Sequence, residues 1–283
     1  MKFLLPILAI FLGILFSQAY IYSFLIKYLL MLMLFFPFLK LEITTFYLNT
    51  IWIVVANITI AFLIYWLVFP FDPELAFFCF LTSITPTATA APAVMNFLQG
   101  NVEYVSLSVL LTNNVIALTI PFLISLLTPQ STHISTQEVL FSILFVFILP
   151  FFLAQLLKKL QMKFLVKLQS LSFYIWSILI FLASAKATNF IIYESQTNLT
   201  KIMAIAISSL VICILNFWLG KIIGGKKFAR EASQSLGQKN TMFTVWLALT
   251  FLQPIAALGP MFYLFYHNLY NCYQMLKINN HKL

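Results

Sequence analysis

Apolar residues fill long runs along nearly the whole chain, and short polar or proline-containing breaks separate the runs. An α-helix needs roughly 20 apolar residues to cross the hydrocarbon core of a bilayer. The pattern therefore predicts ten transmembrane helices, at about 1–20, 22–42, 47–69, 75–98, 102–127, 137–158, 168–190, 200–223, 229–251 and 254–275. The first run has a second interpretation as a cleaved signal peptide, because Ser17-Gln18-Ala19 fits a small-x-small cleavage site.

The composition supports the membrane interpretation. Of the 283 residues, 62% are hydrophobic and only 8% are charged, whereas about 25% of the residues in a soluble domain are charged. This excludes most cytosolic enzyme classes and predicts an all-α integral membrane protein whose solvent is the lipid bilayer. The net charge of +9 does not indicate a nucleic-acid partner, because basic loops of a membrane protein set its orientation.

The basic residues predict that orientation. With ten spans, most of them fall on one side of the membrane: Lys2, Lys40, Lys158, Lys159, Lys163, Lys167, Lys221, Lys226, Lys227, Arg230, Lys277 and Lys282. The opposite side receives Lys27 and Lys201. Because lysine and arginine concentrate in cytoplasmic loops, we expect both termini in the cytoplasm of a multi-pass protein in the plasma membrane.

The chain divides into two halves, 1–130 and 131–283, with five predicted spans each. An odd number of spans makes the second half enter the membrane in the opposite orientation, so the halves are predicted to be inverted repeats. The fourth span of each half is interrupted, at 85–92 and at 232–241. Matched interruptions indicate a transporter binding site, because a broken helix exposes backbone groups inside the membrane. The alternative is a proline kink in one span and a packing face of small residues in the other.

The first interruption and the span after it carry polar side chains that can bind a substrate or a cation. Pro92 removes a backbone donor and so breaks the helix. The candidate ligands here are Thr87, Thr89, Thr112, Asn113 and Asn114. The alternative role for the two asparagines is hydrogen bonding between helices, which contributes only about 1 kcal/mol.

The second interruption contains a lysine. Gly237 allows the chain to break, and the candidate ligands around it are Ser235, Gln238, Lys239 and Asn240. A lysine at the bilayer centre costs about 2.5 to 3.5 kcal/mol even on the lenient insertion scale. We therefore expect Lys239 to face a cavity or a partner. The alternative is that its side chain snorkels to the cytoplasmic interface.

Both interruptions resemble motifs of the bile acid/sodium symporter family. The similar segments are Pro86-Thr87-Ala88-Thr89-Ala90-Ala91-Pro92, Gly100-Asn101-Val102 and Gly237-Gln238-Lys239-Asn240. The resemblance implies a bundle of ten helices built as two inverted five-helix repeats, in which spans four and nine cross at their breaks. It further implies sodium binding at the crossing and transport of organic anions such as bile acids and other small carboxylates.

The sequence departs from the family pattern at the residues that would bind sodium. The first family motif resembles P-G-G-T-A-S-N, and Ala91 and Pro92 stand where its serine and asparagine would fall. The second resembles E-x-G-x-Q-N, and Ser235 replaces its glutamate and Lys239 its glutamine. An ammonium about 4 Å from a second cation repels it by about 4 kcal/mol at an effective dielectric near 20. We therefore interpret Lys239 as a tethered substitute for the ion.

These observations predict a secondary active or facilitative transporter of a small organic anion that works by alternating access. No cofactor and no protein-bound metal are expected, and a bound sodium ion is the less favoured alternative. An auxin-carrier-like permease of similar build and a membrane receptor without transport activity are the alternatives. An intramembrane enzyme is not expected, because the sequence contains no HExxH, no GxSxG and no paired intramembrane aspartates.

Overall fold

The computed structural model describes residues 5–40, 45–127, 135–160, 171–194 and 198–280. These residues form α-helices joined by short connections. The helices are α1 (Leu5–Leu15), α2 (Leu25–Lys40), α3 (Asn49–Val68), α4 (Pro73–Ile84), α5 (Ala91–Phe97), α6 (Val102–Leu127), α7 (Thr136–Lys159), α8 (Leu171–Asn189), α9 (Leu199–Gly237), α10 (Thr241–Phe251) and α11 (Leu258–Asn280). Short 3-10 segments lie at Ser17–Tyr22 and Pro254–Ala257, and a π-helical turn at Phe190–Glu194 follows α8.

Five segments within the described residues are long and apolar enough to cross a membrane. They are Asn49–Val68, Val102–Leu127, Thr136–Lys159, Tyr174–Tyr193 and Leu199–Gly237. Shorter apolar helices occupy Leu25–Leu39, Pro73–Ile84 and Thr241–Phe251. The chain is thus a helical membrane protein, as its apolar runs predicted. The count of ten spans and the inverted repeats at 1–130 and 131–283 stay predictions.

Local sequence explains where the first interrupted span begins and breaks. Asp72 caps α4, since its carboxylate accepts hydrogen bonds from the backbone N–H groups of Glu74 (3.0 Å) and Leu75 (2.9 Å). The helix ends at Ile84, because Thr85 precedes a proline and adopts an extended ψ of 128°. Pro92 lies in the first turn of α5, where its missing N–H would be unpaired in any case. Residues 85–90 are therefore a non-helical segment between two helices.

The chain separates into two compact units. One of them comprises Met1–Leu41, Ala117–Thr197 and Val245–Ala257. Within it, α1 lies so close to α8 that a Cβ on Gly13 would be 2.6 Å from the carbonyl oxygen of Phe181. Helices α2 and α7 pack through the rings of Phe38 and Phe151, whose centroids are 5.4 Å apart in an edge-on arrangement. Aromatic and glycine contacts of this kind hold helices together in lipid, where burial of apolar area gives little net drive.

The other unit comprises Glu42–Ile116, Asn198–Thr244 and Leu258–Leu283. It contains α3, α4, α5 and α11, the first part of α6, and α9. Its interior includes a cluster of buried apolar side chains that surrounds the first break: Ile53, Ile60, Ala88, Ala91, Met95, Leu98, Tyr104, Val105, Ala232 and Leu236. Both interrupted segments, residues 85–90 and 238–240, belong to this unit.

A kink interrupts α9 at Gly225 and Phe228, which both have non-helical backbone angles. Gly225 has φ 57° and ψ −153° inside the helix, a conformation that favours glycine. Beyond the kink, the Arg230 guanidinium donates to the carbonyl oxygen of Leu98 (2.7 Å), and the Glu231 carboxylate accepts from the backbone N–H of Asn101 (2.9 Å). These two bonds fix the connection after α5 to the segment that leads into the second break.

Candidate functional site

The two interruptions pair with each other. Thr87 and Lys239 form an isolated antiparallel β-bridge. The backbone N–H of Ala88 donates to the carbonyl oxygen of Gln238 (2.8 Å), and that of Asn240 donates to the carbonyl oxygen of Pro86 (2.7 Å). Backbone groups freed by a broken helix must find partners inside a membrane protein, and here each break supplies partners for the other. We call this pairing, residues 85–90 with residues 238–240, the crossing.

Two side chains of α6 and a backbone carbonyl of α9 hold the crossing in place. The Thr87 hydroxyl donates to the carbonyl oxygen of Ser235 (2.6 Å), while its backbone N–H donates to the Thr112 hydroxyl (3.1 Å). The Asn113 amide donates to the carbonyl oxygen of Thr87 (2.8 Å) and accepts from the Asn240 amide (3.3 Å). The structure therefore brings five of the sequence-predicted ligands into one hydrogen-bonded group.

Lys239 is buried inside the compact unit that contains both breaks. Its side chain is only 2% exposed, so it does not reach the surface as snorkelling would require. The ammonium donates to the amide oxygen of Asn57 and to the carbonyl oxygen of Ser83 (3.0 Å). The Asn57 amide nitrogen in turn donates to the carbonyl oxygens of Ile84 (3.0 Å) and Thr85 (3.3 Å) at the end of α4. Asn57 thus joins the ammonium to the first break.

The charge of Lys239 is held by neutral oxygens. Among the described residues no carboxylate pairs with Lys239, whereas Lys201 contacts both Asp72 and Glu74. Amide and carbonyl oxygens are the ligands that hard cations take in proteins. The ammonium therefore occupies a position with the oxygen chemistry of a cation site.

Several buried polar atoms near the second break have no hydrogen-bond partner among the described residues. They are the side-chain oxygens of Ser83, Ser235, Gln238 and Thr241. Leaving such groups unpaired costs about 1 to 3 kcal/mol each. The three hydroxyls among them can donate to an acceptor, whereas the Gln238 amide oxygen can only accept.

The remaining sequence candidates lie away from this group or support it. Asn114 is exposed, and its amide donates to the carbonyl oxygen of Leu110 in its own helix (2.7 Å). Thr89 is half-buried at the edge of the first break. Gly237 packs directly on the Phe217 ring, which a Cβ at this position would overlap. Pro92 lies in the first turn of α5, so Pro92 and Gly237 both lie beside a helix break.

Sequence reasoning missed two residues of the site, Asn57 and Thr244. Asn57 is 1% exposed, and its one sequence signal was an amide in the middle of the apolar run of α3, where an unpaired amide is costly. Thr85 and Thr244 share a hydrogen bond between their hydroxyls (2.8 Å), which links the end of α4 to the start of α10. A lone hydroxyl in a membrane helix commonly bonds its own backbone, so the sequence held no clear indication of this contact.

Comparison with known proteins agrees with the family resemblance of the sequence. Curated protein sequences give no match to the chain. The model of the Sodium Bile acid symporter family matches residues 17–194, which is more than half of the 283 residues. The match includes the first break and ends before the second. Members of this family are transporters and not enzymes, and the family suggests sodium-coupled transport of organic anions. The chain is a multi-pass membrane protein that belongs to the sodium bile acid symporter family.

Proposed function

We propose that the protein is a secondary active or facilitative transporter of a small organic anion that uses Lys239 in place of a bound sodium ion. The observation that supports this most strongly is the buried ammonium beside the paired breaks, held by Asn57 and Ser83 without a carboxylate partner. An anionic substrate supplies the negative charge that this position lacks. We place the transporter in the plasma membrane with both termini in the cytoplasm.

The proposed substrate site contains the polar residues of the crossing. The Lys239 ammonium pairs with the substrate carboxylate or exchanges a proton during the cycle. The hydroxyls and amides that orient the substrate are Thr87, Thr89, Thr112, Asn113, Asn114, Ser235, Gln238 and Asn240. In this structure the exposed Asn114 amide donates to the carbonyl oxygen of Leu110. We propose that Asn114 contacts substrate only in another state of the transport cycle, in which its side chain turns toward the crossing. Pro92 and Gly237 keep the helices broken.

The proposed transport cycle is alternating access around the crossing. It rests on the prediction of ten spans in two inverted repeats, since the pseudo-symmetry of inverted repeats gives two equivalent openings. Sodium is not a coupling ion in this proposal, because the ammonium would repel it by about 4 kcal/mol at about 4 Å. Without sodium coupling, the proposed mode of transport is uniport, exchange or proton-linked transport.

Transport by reconstituted protein tests the proposal. We expect uptake of a responsive organic anion into liposomes to be equal in sodium and in potassium buffer, and to fall at least tenfold in Lys239→Met. A charge-assisted hydrogen bond contributes about 1.5 to 3 kcal/mol, and about 1.4 kcal/mol corresponds to a factor of ten. The matched control is Lys221→Met, an exposed lysine of α9, which should transport normally.

Three results would contradict the proposal. Sodium could raise wild-type uptake several-fold, which would require an ion site built from other residues. Lys239→Met could transport like the wild type, which would remove the lysine from the mechanism. Binding of the anion without any flux would identify a receptor.

A further inference from the structure

A shallow, open groove with one lysine lies along one face of α7, in the unit that contains Met1–Leu41 and Ala117–Thr197. Its volume is about 580 Å³. The lining residues, apart from Lys27 of α2, all come from α7: Phe141, Leu144, Phe145, Ile148, Leu149 and Phe152, with the hydroxyl of Ser142 among them. The positions recur at three- and four-residue intervals, so they form one face of the helix.

This face is apolar and exposed, so an extended apolar chain can pack along it. Phe141 is 69% exposed and Phe152 64% exposed, and they mark the two ends of the stripe. At 1.5 Å per residue the stripe is about 16 Å long, roughly half of the hydrocarbon thickness of a bilayer. An acyl chain laid along α7 would cover it.

Lys27 gives the groove a positive charge beside Phe145. Its ammonium lies 5.0 Å from the centre of the Phe145 ring, a cation–π contact that fixes its position. No described carboxylate pairs with it, unlike Lys201, which contacts Asp72 and Glu74. A lysine fixed beside an apolar groove, with its charge unmatched by any described acid, is complementary to an anionic head group.

We propose that this groove binds one anionic phospholipid, with the phosphate on Lys27 and Ser142 and an acyl chain along α7 toward Phe152. A juxtamembrane lysine contributes about 1 kcal/mol to the binding of an anionic lipid, which corresponds to about fivefold in affinity. The site is separate from the crossing and does not depend on the proposed transport function. Its occupant would stabilise the packing of α2 on α7.

Lipid titrations of purified protein in neutral detergent test this inference. The melting temperature is followed while phosphatidylglycerol or phosphatidylcholine with identical chains is added. For the wild type, we expect phosphatidylglycerol to reach half-maximal stabilisation at a concentration about fivefold lower than phosphatidylcholine does. Lys27→Gln should lose this preference and Lys27→Arg should keep it. Lys221→Gln, a change at an exposed lysine outside the groove, should also keep it.

A second variant tests the groove without touching the charge. Ile148→Trp adds bulk at an exposed position of the stripe, so we expect it to weaken the binding of both lipids while the protein stays folded. Equal effects of the two lipids on the wild type would overturn the proposal, and so would a preference that survives in Lys27→Gln. Equal stabilisation by soluble glycerol phosphate would also overturn it, since the site would then bind a free phosphate and not a lipid.

Discussion

Replacing Asn57 by leucine is expected to destabilise the protein by about 3 kcal/mol, because the change removes a main partner of a buried charge. The Lys239 ammonium loses the Asn57 amide oxygen, and the carbonyl oxygens of Ile84 and Thr85 lose their donor. Hydrogen bonds to charged groups contribute about 1.5 to 3 kcal/mol, and unpaired buried groups add their desolvation cost. The free energy of unfolding in mixed micelles of increasing denaturing-detergent fraction measures the effect.

A double-mutant cycle shows whether that loss acts through Lys239. Lys239→Met alone should change stability by less than about 1 kcal/mol, because removing a buried charge also removes its desolvation cost. The double variant Asn57→Leu/Lys239→Met should recover more than half of the loss, since no ammonium is left without a partner.

The matched control for this cycle is Asn268→Leu. Among the described residues the Asn268 amide bonds within its own helix, to the carbonyl oxygen of Leu264 (2.8 Å), so its effect should add to that of Lys239→Met. If the Asn57 and Lys239 effects were also additive, the two side chains would not form one energetic unit.

The double variant Ser235→Glu/Lys239→Gln is expected to acquire a stabilising response to sodium that the wild type lacks. The two changes introduce the glutamate and the glutamine of the family pattern E-x-G-x-Q-N, and they remove the ammonium that repels a second cation. A ligand at a hundredfold excess over its Kd stabilises the native state by about 2.7 kcal/mol. The melting temperature in sodium against potassium at equal ionic strength measures this gain.

The single variants separate the two contributions. Ser235→Glu keeps the ammonium and should show no sodium response, while Lys239→Gln lacks the carboxylate and should respond weakly. Glutamate adds bulk at a buried position, so Ser235→Asp/Lys239→Gln provides the smaller alternative if the first variant unfolds. Folded double variants that melt identically in sodium and potassium would show that these two positions do not decide the ion preference.

The broken helices could be predicted from local chemistry. Pro86 disfavours the helical conformation at Thr85, Pro92 fits the first turn of a new helix, and Gly237 precedes a run of polar residues. The structure has breaks at both places. The pairing of the breaks could not be predicted from periodicity, because Thr87 and Lys239 are distant in sequence and only the tertiary fold brings them together. The family resemblance implied a crossing, and the backbone bonds of the structure supply its register.

Individual side chains show where sequence reasoning reached its limit. The cost of an intramembrane charge predicted that Lys239 has a partner, but an asparagine in the apolar run of α3 gave no indication of which residue it faces. Asn113 and Asn114 were both candidates because they are adjacent. Successive residues of a helix point about 100° apart, so Asn113 faces the crossing while Asn114 faces outward.

The most direct test of the built-in cation is the thermal stability of purified wild type and Lys239→Ala against a panel of small organic anions. Each anion is tested with sodium or potassium as the only cation, and bound ligand raises the melting temperature by mass action. We predict that one class of anion stabilises the wild type equally in both salts and does not stabilise the variant. Stabilisation of the wild type by sodium itself, or an anion response that persists in Lys239→Ala, would contradict the account.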